Sequence, residues 1–207
     1  MAHRFRSEES YRRRPGRRAP RRCLLVVCEG EKTEPVYFEA LRRALGLMSV
    51  EVRVCGPECA SAPISVVDYA LKRIGEEKLQ QFAYDAVWCV FDVDKHPSLA
   101  KALDKAKGNH LLVALSNPCF EYWFLLHFED TNSAFLNAAK LIKHLRKHLP
   151  KYSKGRDVSA MLYPKQKVAL ERAARFEKNR KGTGVRDANS ATDVHKLVRA
   201  MIRIASS

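Results

Sequence analysis

Three short apolar runs constrain this chain more than any other feature. Cys23-Leu-Leu-Val-Val-Cys28, Ala86-Val-Trp-Cys-Val-Phe91 and Leu111-Leu-Val-Ala-Leu115 are each too short for a helix, and none alternates with polar residues. Continuous runs of this length read as strands buried on both faces of a parallel sheet. Val50 to Cys55 alternates and adds a further strand. Between the strands the period changes to that of a helix. Glu34 to Leu45 places Phe38, Leu41 and Leu45 on one face, with Thr33 as the expected N-cap, Pro35 in the first turn and Gly46 as the stop. Ile64 to Phe82 carries Val67, Leu71, Ile74 and Leu79 on one stripe, weakened slightly by Gly75. Ser98 opens a shorter helix to Lys107. The alternation predicts an α/β fold with a mostly parallel four-stranded sheet flanked by helices.

Beyond about residue 132 the strand signal fades, and three helices are expected at about 132–148, 164–180 and 191–205. The expected organisation is a basic arm at 1–22, an α/β domain at 23–130 and a C-terminal helical extension at 131–207 packed on it. At 207 residues the chain suits one domain with an appendage. Its hydrophobic content of 46% excludes a wholly disordered chain. No apolar run approaches the roughly 18 residues of a membrane span. Leu24 to Val27 is too short for a signal peptide, so a cytoplasmic location is expected. None of the six cysteines forms C-x-x-C, and Cys55/Cys59 has no matching pair at zinc-finger spacing, so reduced thiols are the simplest account.

The formal charge is +15. Residues 1–22 hold nine arginines, among them Arg17, Arg18, Arg21 and Arg22, against Glu8 and Glu9, a local +7. This arm is either a phosphate-contacting segment or a solubilising tail. The remaining +8 recurs at Lys140–Lys154 and Lys165–Arg186, which attracts polyanions without telling DNA from RNA.

Acids stand where the strands end. Neighbouring parallel strands share one C-terminal edge, the edge at which open α/β sheets place ligands. Glu29 follows the first run directly, and Asp92 and Asp94 follow Phe91 with the i, i+2 spacing that shares a face in extended backbone. Carboxylates packed at one edge repel unless a cation neutralises them, and their hard oxygens suit Mg²⁺ or Mn²⁺. The alternative is that Glu29 caps the next helix and Asp92/Asp94 form a turn before Pro97. Glu121 lies among large apolar residues in Asn117-Pro-Cys-Phe-Glu-Tyr-Trp-Phe-Leu-Leu-His127, and a buried acid needs a partner: the metal, a water, or a base such as Lys32 or Lys95. His127 reads as a packed core histidine rather than a ligand. No Walker A sequence and no G-x-G-x-x-G after a strand is present.

Cys28-Glu-Gly-Glu-Lys-Thr-Glu-Pro-Val-Tyr-Phe38, Val87-Trp-Cys-Val-Phe-Asp-Val-Asp94, Ser116-Asn-Pro-Cys-Phe-Glu-Tyr-Trp-Phe-Leu-Leu-His-Phe128 and Asn189-Ser-Ala-Thr-Asp-Val-His-Lys-Leu-Val198 together resemble the RloB family, found beside bacterial restriction-modification genes. That pattern is itself similar to Toprim domains, which are Rossmannoid and carry Glu-Gly after the first strand and D-x-D after the third. The resemblance implies an acid/base and metal role for Glu29 and metal binding by Asp92 and Asp94. Glu121 lies beyond the usual Toprim motifs and is a further candidate to complete the shell, while Glu31 and Glu34 lie beside Glu29 and could take its place. The chain has no room for the strand-passage body of a topoisomerase or the template apparatus of a primase. The function expected is therefore Mg²⁺-dependent phosphodiester hydrolysis of DNA or RNA, tRNA included, in phage defence or abortive infection. Lys32, Lys95 and the arm arginines would steady phosphate charge, and any ATPase would be a separate partner. The other expectation is a non-catalytic nucleic-acid-binding or regulatory subunit of a defence complex.

Overall fold

The computed structural model describes residues 23–54, 62–79, 83–93 and 97–206. Arg17, Arg18, Arg21, Arg22, Cys55, Cys59, Asp94 and Lys95 lie outside the described residues. The chain runs β1 (Leu24–Cys28), α1 (Thr33–Ala44), β2 (Val50–Val54), α2 (Pro63–Leu79), β3 (Ala86–Asp92), α3 (Leu99–Gly108), β4 (Leu112–Asn117) and α4 (Glu121–Leu125). It continues through α5 (Ala138–Leu145), α6 (Ser159–Leu162), a 3-10 turn (Tyr163–Lys165), α7 (Gln166–Asn179), β5 (Ala191–Thr192) and α8 (Val194–Ala205).

The sheet has five strands in the order β2-β1-β3-β4-β5, rather than the four expected. The first four are parallel, and β5 runs antiparallel to β4 through Ser116↔Thr192 and Asn117↔Ala191. The missed strand is only two residues long and abuts a strongly amphipathic helix, so periodicity absorbed it. Its anchor is polar: the Ser116 and Thr192 hydroxyls lie 2.9 Å apart. Thr192 Oγ1 also accepts from the Val194 amide at 3.1 Å, which starts α8 after the strand.

Alternate residues of the central strands enter two cores, as continuous apolar runs require. Leu24, Val26, Cys28, Trp88, Val90 and Ala114 face a core completed by α1, α4 and the C-terminal helices. Leu25, Val27, Val87, Cys89, Phe91 and Leu115 face α2 and α3. All five residues of α4 are buried, so the segment around Glu121 is an interior helix. Leu141, Leu145, Leu162, Leu197, Val198 and Met201 join the first core, which makes the C-terminal helices one wall of it.

Two helix starts differ from expectation. The helix expected from 132 begins at Ala138, because Asn137 caps it by accepting from the Lys140 amide at 3.0 Å. Upstream, the Ser133 amide donates to Thr131 Oγ1 at 3.1 Å, a local bond that competes with helix. Thr33 is the first residue of α1 and not its cap; Lys32 holds the cap position without a side-chain bond, and Thr33 Oγ1 lies 3.5 Å from Tyr152 Oη. Among the described residues no helix is long and apolar enough to cross a membrane.

Candidate active site

β1 and β3 are direct neighbours, with Cys28 paired to Val90. One residue further, the Glu29 amide donates to the Val90 carbonyl at 2.9 Å. The carboxylate of Glu29 folds back over the strand ends and accepts from the Asp92 amide at 3.4 Å. Parallel pairing therefore brings the two acids to one point of the C-terminal edge. β4 ends beside them, with Ser116 level with Asp92.

A cleft of about 550 Å³ opens at this edge, and Glu29, Lys32, Glu34, Asp92, Cys119 and Lys154 are among its walls. Glu34, from the first turn of α1, is buried. A Cβ on Gly30 would overlap its carboxylate, so the glycine of Glu29-Gly30 gives Glu34 room to lie against the backbone. Glu121, the first residue of α4, lies behind the cleft lining, only about 1% exposed. Its Oε1 accepts from the Tyr152 hydroxyl at 2.8 Å. Tyr152 is itself buried, and burial and the nearby Glu121 carboxylate push its hydroxyl upward, so it stays a donor.

The electrostatics mark these groups as one cluster. Asp92 is half-buried at the sheet edge and lines the cleft. Burial, then Glu34, Glu121 and Glu29, push its carboxyl well above the ordinary aspartate range, while Lys154 pulls it back. Burial and Glu121 raise Glu34 as well, against its backbone hydrogen bond and Lys154. Burial works against the charge of Lys154, but Glu121, Asp92, Cys119 and Glu34 outweigh it and hold that lysine above its usual value. Cys119 is pushed up by burial, Glu121 and Asp92, which makes it an inert neutral thiol.

The donor set is all hard carboxylate oxygen, with several acids against the one lysine that acts on them, which fits a divalent cation in chemistry. Among the described residues, no three His, Cys, Asp or Glu side chains are grouped closely enough to hold an ion.

Of the residues read from the sequence, Glu29, Asp92 and Glu121 come together, and Lys32 stands exposed at the mouth of the cleft. Glu31 lines the cleft but is exposed, whereas Glu34 is turned inward. His127 is a core residue 2% exposed, with Nδ1 2.9 Å from the Trp123 carbonyl and its ring edge-on to the indole. Sequence reading missed Tyr152 and Lys154. Both lie in a basic run whose composition reads as solvated surface, and only the fold brings them to Glu121.

A comparison with known families decides the kinship. The model of the family described as RloB-like protein matches residues 24–201. The chain belongs to the RloB-like family. The match spans the sheet, the cleft and the C-terminal helices, so the loop carrying Lys154 lies inside the family's extent. Searches of curated proteins and of solved structures gave no match.

Proposed function

We propose that this RloB-like chain is a Toprim-like, metal-dependent nuclease that hydrolyses phosphodiester bonds of DNA or RNA, tRNA included, in bacterial phage defence or abortive infection. The observation that carries the reading is the juxtaposition of Glu29 and Asp92 at the C-terminal strand edge, with Glu34 and Glu121 acting on the same carboxyl. So much burial of like charge is costly for a structure and useful to a site that meets a cation and a phosphate.

Glu29, Asp92 and Asp94 would hold Mg²⁺ or Mn²⁺, which when bound supplies Lewis acidity towards phosphate oxygens. Glu29 would take a proton from the attacking water. The water oxygen forms the new P–O bond, the P–O ester bond to the leaving sugar oxygen breaks, and that oxygen takes up a proton from solvent. Gly30 leaves room for Glu34 to lie against the backbone beside this point, and the Tyr152 hydroxyl holds the Glu121 carboxyl. A separate ATPase would be a partner polypeptide, since the chain carries no P-loop.

Purified protein incubated with plasmid, single-stranded DNA and tRNA is expected to cleave at least one of them with Mg²⁺ and none with EDTA. Cleavage that persists in both Glu29→Gln and Asp92→Asn overturns the assignment. The lack of a three-ligand group among the described residues favours one other reading, a non-catalytic nucleic-acid-binding or regulatory subunit. That reading predicts salt-dependent binding with no cleavage, and both acid variants active in the cell.

A further inference from the structure

We propose that Lys154 is the phosphate-binding cation of the cleft, delivered by the loop after α5 to hold a non-bridging oxygen of the bound phosphodiester. This inference rests on the nucleic-acid reading above and deepens it.

The cleft poses a charge problem for such a ligand. A phosphodiester is an anion, and Glu29, Glu34, Asp92 and Glu121 all repel it. Lys32 and Lys154 are the basic side chains among the described lining residues. Both are exposed at the cleft, and Lys154 interacts with Glu121, Asp92 and Glu34. Among the described residues Lys154 closes on no carboxylate at ion-pair distance, although several act on it through space. A lysine serving only to neutralise the cluster would sit on one of its members. Lys154 instead stands off from all of them with its three ammonium donors available for a ligand between.

The loop is built to keep it there. Two residues before Lys154, Tyr152 is anchored to Glu121 at 2.8 Å, and the Tyr152 carbonyl accepts from Arg146 Nε at 3.1 Å. One residue after Lys154, Gly155 adopts φ +83° and packs so closely on Lys32 that a Cβ would lie 3.1 Å from the Lys32 Cβ. The Lys151 carbonyl is held by Arg156 Nη1 at 2.9 Å. The backbone at Lys154 is thus fixed from both sides by contacts of its neighbours, so a phosphate contact there has only the side chain left to order.

The test reads binding apart from cleavage. A fluorescein-labelled single-stranded oligonucleotide is titrated in EDTA by anisotropy at several salt concentrations, with wild type, Lys154→Gln, Lys154→Arg and Lys107→Gln. Lys107 sits in the last turn of α3, at the opposite edge of the sheet, and removes the same charge elsewhere. Lys154→Gln is expected to reduce the slope of log K against log salt by about 0.7, the share of one phosphate contact on a single strand. Lys154→Arg restores the slope, and Lys107→Gln leaves it unchanged. With Mg²⁺, Lys154→Gln is expected to lower kcat/KM by about 10²–10³-fold, as for loss of one charge-stabilising donor. If Lys154→Gln folds poorly, the pair is compared in an Asp92→Asn background, which removes one of the acids that Lys154 offsets. A wild-type slope in Lys154→Gln overturns the role of Lys154 and leaves the nuclease reading standing. Binding without cleavage by wild type overturns the nuclease reading while the slope still judges Lys154. Wild type that neither binds nor cleaves overturns both.

Discussion

Asp92→Asn is expected to make the metal-free protein more stable, by an amount that grows with pH. The Asp92 carboxyl is raised by burial and by Glu34, Glu121 and Glu29. A raised acid is protonated in the folded state while its unfolded counterpart, near pH 3.9, has already ionised. In that window the folded state binds more protons, so stability falls as pH rises, until the folded carboxyl itself ionises. The limit is one proton, about 1.4 kcal/mol per pH unit. For a domain of this size that is about 3–5 °C in Tm per pH unit. Asparagine has no such titration, and groups remote from the cleft cancel in the difference between the two proteins. Thermal unfolding in EDTA, from pH 4 to 8, should therefore show a Tm gap in favour of Asp92→Asn that opens above pH 4 and then levels. Mg²⁺ should narrow the gap by stabilising wild type alone, since a ligand of the folded state adds stability by mass action. A gap that is absent, or that closes as pH rises, refutes the view of this cleft as a charge-strained site.

Tyr152→Phe removes the donor to a buried carboxylate and is expected to cost about 1–3 kcal/mol. A double-mutant cycle with Glu121→Gln should show coupling well above 0.5 kcal/mol; simple additivity would mean that the 2.8 Å bond contributes nothing. His127 should titrate near pH 4 by NMR, because burial holds its ring neutral. Its unfolded value is about 6.5, so its contribution to stability is intact above that pH and is lost as pH falls towards 4. A midpoint above 6 would contradict the packing seen around its ring.

The parallel strands were legible because continuous apolar runs have few other readings at five or six residues. Glu29 and Asp92 followed from them, since adjacency of β1 and β3 was the one condition their meeting required, and Cys28↔Val90 pairing meets it. The α4 segment was legible only as an apolar stretch holding an acid; burial on all sides erases the stripe by which a helix is recognised. β5 was illegible because two residues carry no period. Lys154 was illegible for a different reason. Its role depends on Tyr152 reaching Glu121, 31 positions away, and on a glycine conformation next to it. Neither constraint leaves a local pattern.

The acids and the cation reach the cleft from different parts of the chain. Glu29, Glu34 and Asp92 belong to the strand ends and first helix turn of the sheet half, and Lys154 belongs to a loop between α5 and α6. Without that loop, Glu34 and Asp92 would lose the lysine that pulls their raised carboxyls back. The same loop also closes the core, because Leu149, Tyr152 and Val158 are buried in the cluster that contains Val26, Phe38 and Phe124. Packing and chemistry therefore share one element. A loop free to swing would lose the Tyr152–Glu121 bond and expose apolar surface at once, so ordering of the cation is tied to folding of the core. That coupling places the backbone of an exposed lysine: Tyr152, two positions before it, is fixed by burial and its bond to Glu121, while the lysine's own charge is left for a ligand.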